Sequence, residues 1–164
     1  MPVITAQQAG GANRCAFLDM IAWSEIGPAL LAATDNGYDV LVGATPANPL
    51  TFASYAKHPD VLNHDLDSTA AGRYQEKWGN WLSYSALLKL PDFGPLSQDR
   101  MAIQQIREAR ALPFIDAGNF VKAVQLCAHL WASLPGNDYK QHINTISSLQ
   151  ASYVRAGGTL ARTA

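Results

Sequence analysis

The segment that decides the predicted fold is Asn36-Gly-Tyr-Asp-Val-Leu-Val-Gly43. Its centre, Tyr38 to Val42, is a short run of β-forming residues bounded on both sides by glycine-containing turn signals. A Pro- and Thr-containing stretch, Thr45 to Leu50, follows it, and a second run extends from Thr51 to Tyr55. We therefore predict a hairpin or a small three-stranded sheet within residues 34–67.

Helical periodicity lies on both sides of this segment. Before it, a helix is predicted from Arg14 to Glu25, with Asn13 as its N-cap and Gly27-Pro28 as its end. After it, apolar residues recur at helical spacing in four stripes: Tyr74, Trp78, Trp81 and Leu88; Met101, Ala102, Ile106 and Ala109; Phe120, Val124, Cys127 and Trp131; Ile143, Ile146, Leu149 and Tyr153. This order predicts an α+β fold, in which a mainly helical lobe and a small β-sheet lobe flank a cleft.

Composition narrows the class of protein. Hydrophobic residues make up 48% of the 164 residues and charged residues 15%, which excludes intrinsic disorder. The formal net charge of −1 provides no basic field to attract nucleic acid or anionic lipid, so neither is an expected partner. We expect residues 1–12 to form a flexible N-terminal arm and residues 13–164 to form one domain.

The sequence also bears on location and redox state. Its first 13 residues have no charged side chain and no apolar run of signal-peptide length, so we expect no ordinary export and no membrane insertion. Two cysteines, Cys15 and Cys127, are too few for a disulfide framework, and we expect reduced thiols. Cys127 falls on an apolar helical stripe, as an inert buried thiol does.

Glu25 is the first candidate for acid chemistry. It follows Phe17 and Ile21 at i+8 and i+4, so it ends the apolar stripe of its predicted helix. A carboxyl group held against apolar side chains has a raised pKa, which suits the protonation of a glycosidic oxygen near neutral pH. The alternative is a helix-end glutamate in water, and pattern alone favours that alternative. Glu76 and Glu108 are both predicted to be exposed.

Asp39 is the second candidate, because aspartate is unusual inside a strand. Two carboxyl groups flanking a bond would suit a glycoside hydrolase. Asp39 either points into the predicted cleft or binds turn amides near Gly37, and the pattern does not separate the two.

Metal and cofactor chemistry is not predicted. His58 and His64 lie close together in sequence but have no paired ligand motif beside them, so we interpret them as surface loop residues. No glycine-rich phosphate loop is present, and we expect no cofactor. Aromatic side chains could offer flat apolar faces to a polysaccharide, although Trp78 and Trp131 are more typical of core residues.

Several strings, taken in order, resemble the phage lambda endolysin family, the lambda-type lytic transglycosylases. The resemblance covers residues 14–159, nearly the whole chain. The strings are Ala16-Phe-Leu-Asp-Met20, Ala22-Trp-Ser-Glu25, Asn36-Gly-Tyr-Asp-Val40, Val42-Gly43, Ser68-Thr69, Ala71-Gly-Arg-Tyr-Gln75, Gln104-Gln-Ile106, Ala111-Leu-Pro113, Ile115-Asp116, Trp131-Ala-Ser-Leu-Pro-Gly136, Tyr139 and Ala156-Gly-Gly-Thr159.

The resemblance implies a lysozyme-like α+β fold and cleavage of the β-1,4 bond between N-acetylmuramic acid and N-acetylglucosamine in peptidoglycan. In this family the muramic acid C6 hydroxyl attacks its own C1 and leaves a 1,6-anhydro ring. The resemblance makes Glu25 the catalytic residue. It implies that the substrate-binding residues are Tyr38, Asp39, Tyr74, Gln75 and Tyr139.

This mechanism agrees with the scarcity of glutamate. One carboxyl group suffices if Glu25 first protonates the leaving oxygen and then accepts the proton of the C6 hydroxyl. Because the nucleophile belongs to the substrate, much of the entropic barrier is already removed.

The sequence departs from the family pattern in three places. Residues 26–33 are apolar where the family has a polar, basic stretch, and an apparent insertion lies at residues 44–49. Cys15 stands where the family has a basic residue. We expect the chemistry to survive these changes.

The predicted protein is a monomeric phage endolysin that acts on peptidoglycan glycan strands. We expect it to accumulate in the host cytoplasm until a separate holin-type protein permeabilises the membrane, and then to reach the periplasm and cell wall. The alternatives are a true muramidase, in which Asp39 or a neighbour activates water, and a non-catalytic glycan-binding module.

Overall fold

The computed structural model describes residues 1–136 and 143–161. Over these residues the chain forms eight helices: α1 (Ala6–Ala9), α2 (Ala12–Ile26), α3 (Pro28–Ala33), α4 (Trp78–Leu88), α5 (Pro95–Glu108), α6 (Leu112–Asp116), α7 (Phe120–Cys127) and α8 (Ile146–Arg155). The chain divides into two compact units, which we call the end unit (Met1–Glu25 and Ala102–Ala164) and the middle unit (Ile26–Met101).

The predicted β-sheet lobe, and with it the α+β fold class, is wrong. The regular secondary structure of the described residues is helical, and their strand-like pairing is confined to isolated bridges such as Val40 with Thr51 and Leu41 with Ala71. Left-handed backbone at Gly37, Gly43 and Gly72 breaks each pairing after one or two residues, because a ladder requires extended conformations. The residues between α3 and α4 therefore form a series of turns.

The core of the middle unit is built around Phe93, which is fully buried. The Trp81 ring of α4 meets Phe93 edge-on, with centroids 4.9 Å apart, and the His58 ring lies 4.6 Å from it. Ala71 and Met101 complete the buried cluster. These aromatic contacts pack the turns of the middle unit against its helices, where we had predicted that a sheet would do so.

A buried amide fixes the turn that precedes α4. Gln98, on α5, accepts the backbone N–H of Arg73 at 2.9 Å and donates to the carbonyls of Tyr38 and Phe93 at 3.0 and 2.8 Å. A Cβ on Gly72 would collide with the Gln98 side chain, and the φ of +78° at Gly72 also favours glycine. The glycine therefore allows the turn to approach α5.

The core of the end unit contains a cluster of three aromatic rings. Phe17 lies 6.3 Å from Phe120 and 6.4 Å from Tyr153, and the last two are 5.0 Å apart. These contacts pack α2, α7 and α8 together. The prediction that Asn119 begins a helix is confirmed, because its side chain accepts the Lys122 N–H at 3.4 Å ahead of α7.

The predicted helix ending near Glu25 is confirmed, although α2 begins two residues earlier than expected. Asn13 lies inside α2 and is not its cap. Its side chain instead donates to the Ile115 carbonyl at 3.1 Å and accepts the Thr159 N–H at 2.9 Å. The neighbouring Arg14 forms a two-pronged ion pair with Asp116, with contacts of 2.8 and 2.6 Å.

The first 12 residues contain α1, which begins with a reciprocal capping box between Thr5 and Gln8. Ile4 and Ala9 are buried. The flexibility expected for this segment stays a prediction.

Candidate active site

Glu25 lies in the last turn of α2, in the end unit. The two residues that precede it on the same helical face, Phe17 and Ile21, are fully buried, and Glu25 itself is partly buried. The apolar stripe of α2 therefore runs from two fully buried side chains to a partly buried carboxyl group. The expectation of a glutamate at the end of an apolar stripe agrees with this placement.

Ser133 holds this carboxyl group. Its hydroxyl donates to Oε1 of Glu25 at 2.5 Å, and its backbone N–H donates to the same oxygen at 3.4 Å. Ser133 is only 8% exposed and lies in the turn that follows α7. Charge-assisted hydrogen bonds of this kind fix the orientation of a carboxylate.

Two further polar side chains continue from Ser133. The hydroxyls of Ser24 and Ser133 are 2.6 Å apart, and Nδ2 of Asn144 lies 3.0 Å from Oγ of Ser24. The backbone N–H of Asn144 also donates to the Ser133 carbonyl at 2.9 Å. Four polar side chains of the end unit, Ser24, Glu25, Ser133 and Asn144, thus form one connected group.

The environment of Glu25 changes its acidity. Burial raises the pKa of its carboxyl group, because a carboxylate loses solvation there. The two hydrogen bonds from Ser133 oppose this by stabilising the charged form, and burial outweighs them. The result is a glutamate that keeps its proton to a higher pH than an exposed one, which is the less favoured of the two interpretations that the sequence left open.

Sequence reasoning missed Ser24, Ser133 and Asn144 as members of this group. Ser133 is 108 residues from Glu25 along the chain, and Asn144 is 120 residues from Ser24. Ser24 and Ser133 do lie in two of the strings that carry the family resemblance, Ala22–Glu25 and Trp131–Gly136. That shared membership was the only signal available.

Four of the predicted substrate-binding residues lie in the middle unit. Tyr38 and Tyr74 are each 1% exposed, and their hydroxyls donate to Oδ1 of the buried Asp99 at 2.8 and 2.6 Å. Burial raises the pKa of the Tyr74 phenol well above its ordinary value, and the Asp99 carboxylate adds to this rise. These two tyrosines are therefore brought together inside the unit, and their contact with sugar stays a prediction.

Asp39 and Gln75 are less buried. Oδ1 of Asp39 accepts the backbone N–H of Asp35 at 3.0 Å, so this carboxylate binds a turn amide. Gln75 adopts a left-handed backbone, with φ of +51°, and its side chain donates to the Gly72 carbonyl at 2.9 Å. Tyr139, the remaining predicted substrate-binding residue, lies outside the described residues.

Two other predictions about ionisable side chains are wrong. Glu76 is 3% exposed, not solvated, whereas Glu108 is exposed as expected. His58 is 1% exposed, because Trp78 and Phe93 cover its ring. Its Nδ1 accepts the Asp60 N–H at 3.0 Å, which assigns the ring proton to Nε2, 2.8 Å from the Glu76 carbonyl oxygen.

Cys127 is a free thiol of the end unit. Cys127 is fully buried, and burial raises its pKa to about 12, which makes it a poor nucleophile. Within residues 1–136 and 143–161, no group of three His, Cys, Asp or Glu side chains is arranged to hold a metal ion.

None of the helices in the described part of the chain is long and apolar enough to cross a membrane.

Solved structures and curated relatives resemble this chain closely. Bacteriophage lambda lysozyme complexed with a chitohexasaccharide matches with a TM-score of 0.79 at 43% identity, covering 92% of this chain and 97% of that one. Lysozyme from bacteriophage lambda matches at a TM-score of 0.76 and 42% identity, over 92% and 97% of the two chains. The fold is therefore that of a phage lysozyme, and this part of the predicted fold class is confirmed.

Sequence comparison narrows the class further. The endolysin of Escherichia phage lambda is 45% identical over 161 residues, which cover 90% of this chain and 93% of the relative. The endolysin of Escherichia phage P2 is 45% identical over 167 residues, covering 96% and 98%. A family model described as Endolysin matches residues 15–160. The chain belongs to the endolysin family, and the predicted resemblance is confirmed.

Proposed function

We propose that this endolysin is a peptidoglycan lytic transglycosylase and that Glu25 is its catalytic residue. The observation that carries the proposal is the state of the Glu25 carboxyl group, which is partly buried, held by Ser133 at 2.5 Å, and has a raised pKa. A neutral carboxylic acid near pH 7 is the group needed to protonate a glycosidic oxygen.

The reaction has two proton transfers at one residue. Glu25 gives its proton to the oxygen that links N-acetylmuramic acid to N-acetylglucosamine, and the bond from C1 to that oxygen breaks. The C6 hydroxyl oxygen of the muramic acid then bonds to C1, and its proton passes to the Glu25 carboxylate. The products are a 1,6-anhydromuramic end and a free N-acetylglucosamine end, and Glu25 is protonated again.

The substrate is a peptidoglycan glycan strand. Support comes from the relative of known structure, a lambda lysozyme complexed with a chitohexasaccharide, which is a chain of N-acetylglucosamine units. Asp39 and Gln75, with Tyr139, are proposed to contact the strand. Tyr38 and Tyr74 are buried and their hydroxyls are bonded to Asp99, so they are proposed to hold the turns that carry Asp39 and Gln75.

The proposed setting is the lysis of a phage-infected bacterium. Support comes from the two relatives, which are endolysins of Escherichia phages. The protein accumulates as a monomer in the host cytoplasm until a holin-type protein opens the membrane, and it then reaches the cell wall.

Mass spectrometry of digested peptidoglycan tests the proposal. The transglycosylase leaves muropeptides with an anhydro ring, each lighter by one water than the hydrolytic product. Incubation in H₂¹⁸O adds a second readout, because intramolecular attack incorporates no solvent oxygen. If the products carried reducing muramic ends labelled with ¹⁸O, the enzyme would be a muramidase. If no cleavage occurred, it would be a glycan-binding module.

A further inference from the structure

We infer that Asn144, Ser24 and Ser133 form a one-way chain of hydrogen bonds that ends on Oε1 of Glu25, which makes Oε2 the oxygen that releases and regains the proton. This inference rests on the proposed function of Glu25. It assigns Asn144, Ser24 and Ser133 as positioning residues for that carboxyl group.

Oε1 of Glu25 accepts two hydrogen bonds from Ser133. Its hydroxyl, at 2.5 Å, and its backbone N–H, at 3.4 Å, both point to Oε1 of Glu25. A carboxyl oxygen has two lone pairs, so two donors occupy both of them. When Glu25 is protonated, its proton therefore resides on Oε2.

The Ser133 hydroxyl fixes the direction of the hydrogen bond between the two serines. Because the hydroxyl hydrogen of Ser133 is used toward Glu25, the 2.6 Å contact between the serine hydroxyls needs the hydrogen of Ser24. Ser24 therefore donates to Ser133. A hydroxyl that donates can also accept, and Ser24 accepts from Nδ2 of Asn144 at 3.0 Å.

The backbone carbonyl of Ser24 fixes the orientation of the side-chain amide of Asn144. Its Nδ2 also lies 3.4 Å from the backbone carbonyl oxygen of Ser24, which can only accept. A flipped amide would set two acceptor oxygens against each other, so the NH₂ group faces Ser24. An amide NH₂ only donates, which fixes the link from Asn144 to Ser24, and the Ser133 hydroxyl hydrogen directed to Oε1 fixes the remaining links toward Glu25.

The direction matters for a residue that must act first as an acid and then as a base. Because Oε1 accepts in both protonation states, the chain needs no rearrangement between the two proton transfers. The backbone hydrogen bond from Asn144 to Ser133, at 2.9 Å, holds the first and third members of the chain at a fixed spacing. Such preorganised donors lower the cost of charge changes in a partly buried site.

The test is a titration of the glutamate side chains by carbon-13 NMR, which the three glutamates of this sequence make tractable. Ser133→Ala removes the hydroxyl donor to Oε1, and we expect the Glu25 pKa to rise by about one unit. Asn144→Leu keeps the size of the side chain and removes the donor that fixes the direction, and we expect a rise of about half a unit. Ser133→Thr keeps the hydroxyl and should return the pKa to within about 0.3 unit of wild type.

Ser83→Ala is the matched control, because it removes an exposed hydroxyl on α4. It should leave the Glu25 titration unchanged. Ser24→Ala provides a second break in the chain if either of the other variants fails to fold, and it should also raise the pKa. Unchanged Glu25 titration in folded Ser133→Ala and Ser24→Ala proteins would overturn the inference.

The pH profile of cleavage separates this inference from the proposed function. If both hold, the alkaline limb of kcat/KM moves upward in Ser133→Ala by the same amount as the Glu25 pKa. A moved pKa with an unmoved limb would contradict the catalytic role of Glu25 and leave the chain intact.

Discussion

Ser133 places two donors on the same oxygen of Glu25, its hydroxyl at 2.5 Å and its backbone N–H at 3.4 Å. Burial of the carboxyl group raises its pKa, and these donors limit the rise. The carboxyl group is therefore less acidic than an exposed one, and the carboxylate that remains after transfer still accepts two hydrogen bonds from Ser133.

The raised pKa of Glu25 has a consequence for stability. The unfolded chain ionises Glu25 near pH 4.3, whereas the folded protein holds the proton to a higher pH. Stability from this group is therefore complete below the unfolded pKa and is lost as the pH rises through the folded pKa. Glu25→Gln should increase the free energy of unfolding at pH 7 by about 1.4 kcal/mol per unit of pKa shift.

Urea denaturation at pH 4 and pH 7 measures this effect. The amide of Glu25→Gln keeps an acceptor toward Ser133, so the difference from wild type should be small at pH 4. A variant that is less stable than wild type at pH 7 would show that the carboxylate is not penalised by burial.

The ionisation of His58, in the middle unit, should make stability depend on pH in the opposite direction. Burial lowers its pKa, because the charged imidazolium loses solvation there. Protonation of Nδ1 would also set a ring N–H against the Asp60 N–H. The neutral ring stabilises the fold above the unfolded pKa near 6.5, and this stability is lost as the pH falls toward the folded pKa. NMR titration of the His58 ring should give a midpoint below the ordinary histidine value, and a midpoint above it would contradict the assigned tautomer.

We predict that Tyr38 and Tyr74 stabilise the fold through their hydrogen bonds to Asp99. Tyr38→Phe and Tyr74→Phe each remove a hydrogen bond to a buried carboxylate, so each should lower the free energy of unfolding by about 1–3 kcal/mol. The double variant should not be additive, because both hydroxyls serve one oxygen. A direct role in sugar binding would instead raise KM at unchanged stability, and kinetics with a soluble glycan separates the two outcomes.

Asp39→Asn tests the muramidase alternative. The amide oxygen can still accept the Asp35 N–H, but it cannot activate water as a base. We expect cleavage within about tenfold of wild type with anhydro products unchanged, since general-base catalysis is worth about 10²–10⁴ where it operates. A larger loss of rate with normal folding, in an enzyme whose wild-type products carry reducing muramic ends, would make Asp39 a base.

Local patterns placed Glu25 at the end of the apolar stripe of its helix, but they favoured a solvated glutamate, and only the family resemblance made it the catalytic residue. A 3.6-residue period places it above Phe17 and Ile21, and both are buried in the structure. The same period predicted α7 from its cap at Asn119. These predictions succeeded because each depends on residues within about two turns of helix.

The predicted sheet failed because β propensity does not decide pairing. Residues 38–42 have β-forming side chains, but left-handed residues such as Gly43 and Gly72 end each pairing early. The contact of His58 with Phe93 could not be predicted either, because it joins residues distant in sequence. Ser133 is 108 residues from Glu25, and no local sequence pattern predicts a contact over that separation.

The catalytic role of Glu25 is tested most directly by the rate at which Glu25→Gln cleaves peptidoglycan. Glu108→Gln is the matched control, because Glu108 is an exposed glutamate on α5. We predict that Glu25→Gln loses about 10³-fold or more of the rate while it stays folded, and that Glu108→Gln cleaves at the wild-type rate. A folded Glu25→Gln protein that cleaved at a rate near wild type would contradict the account.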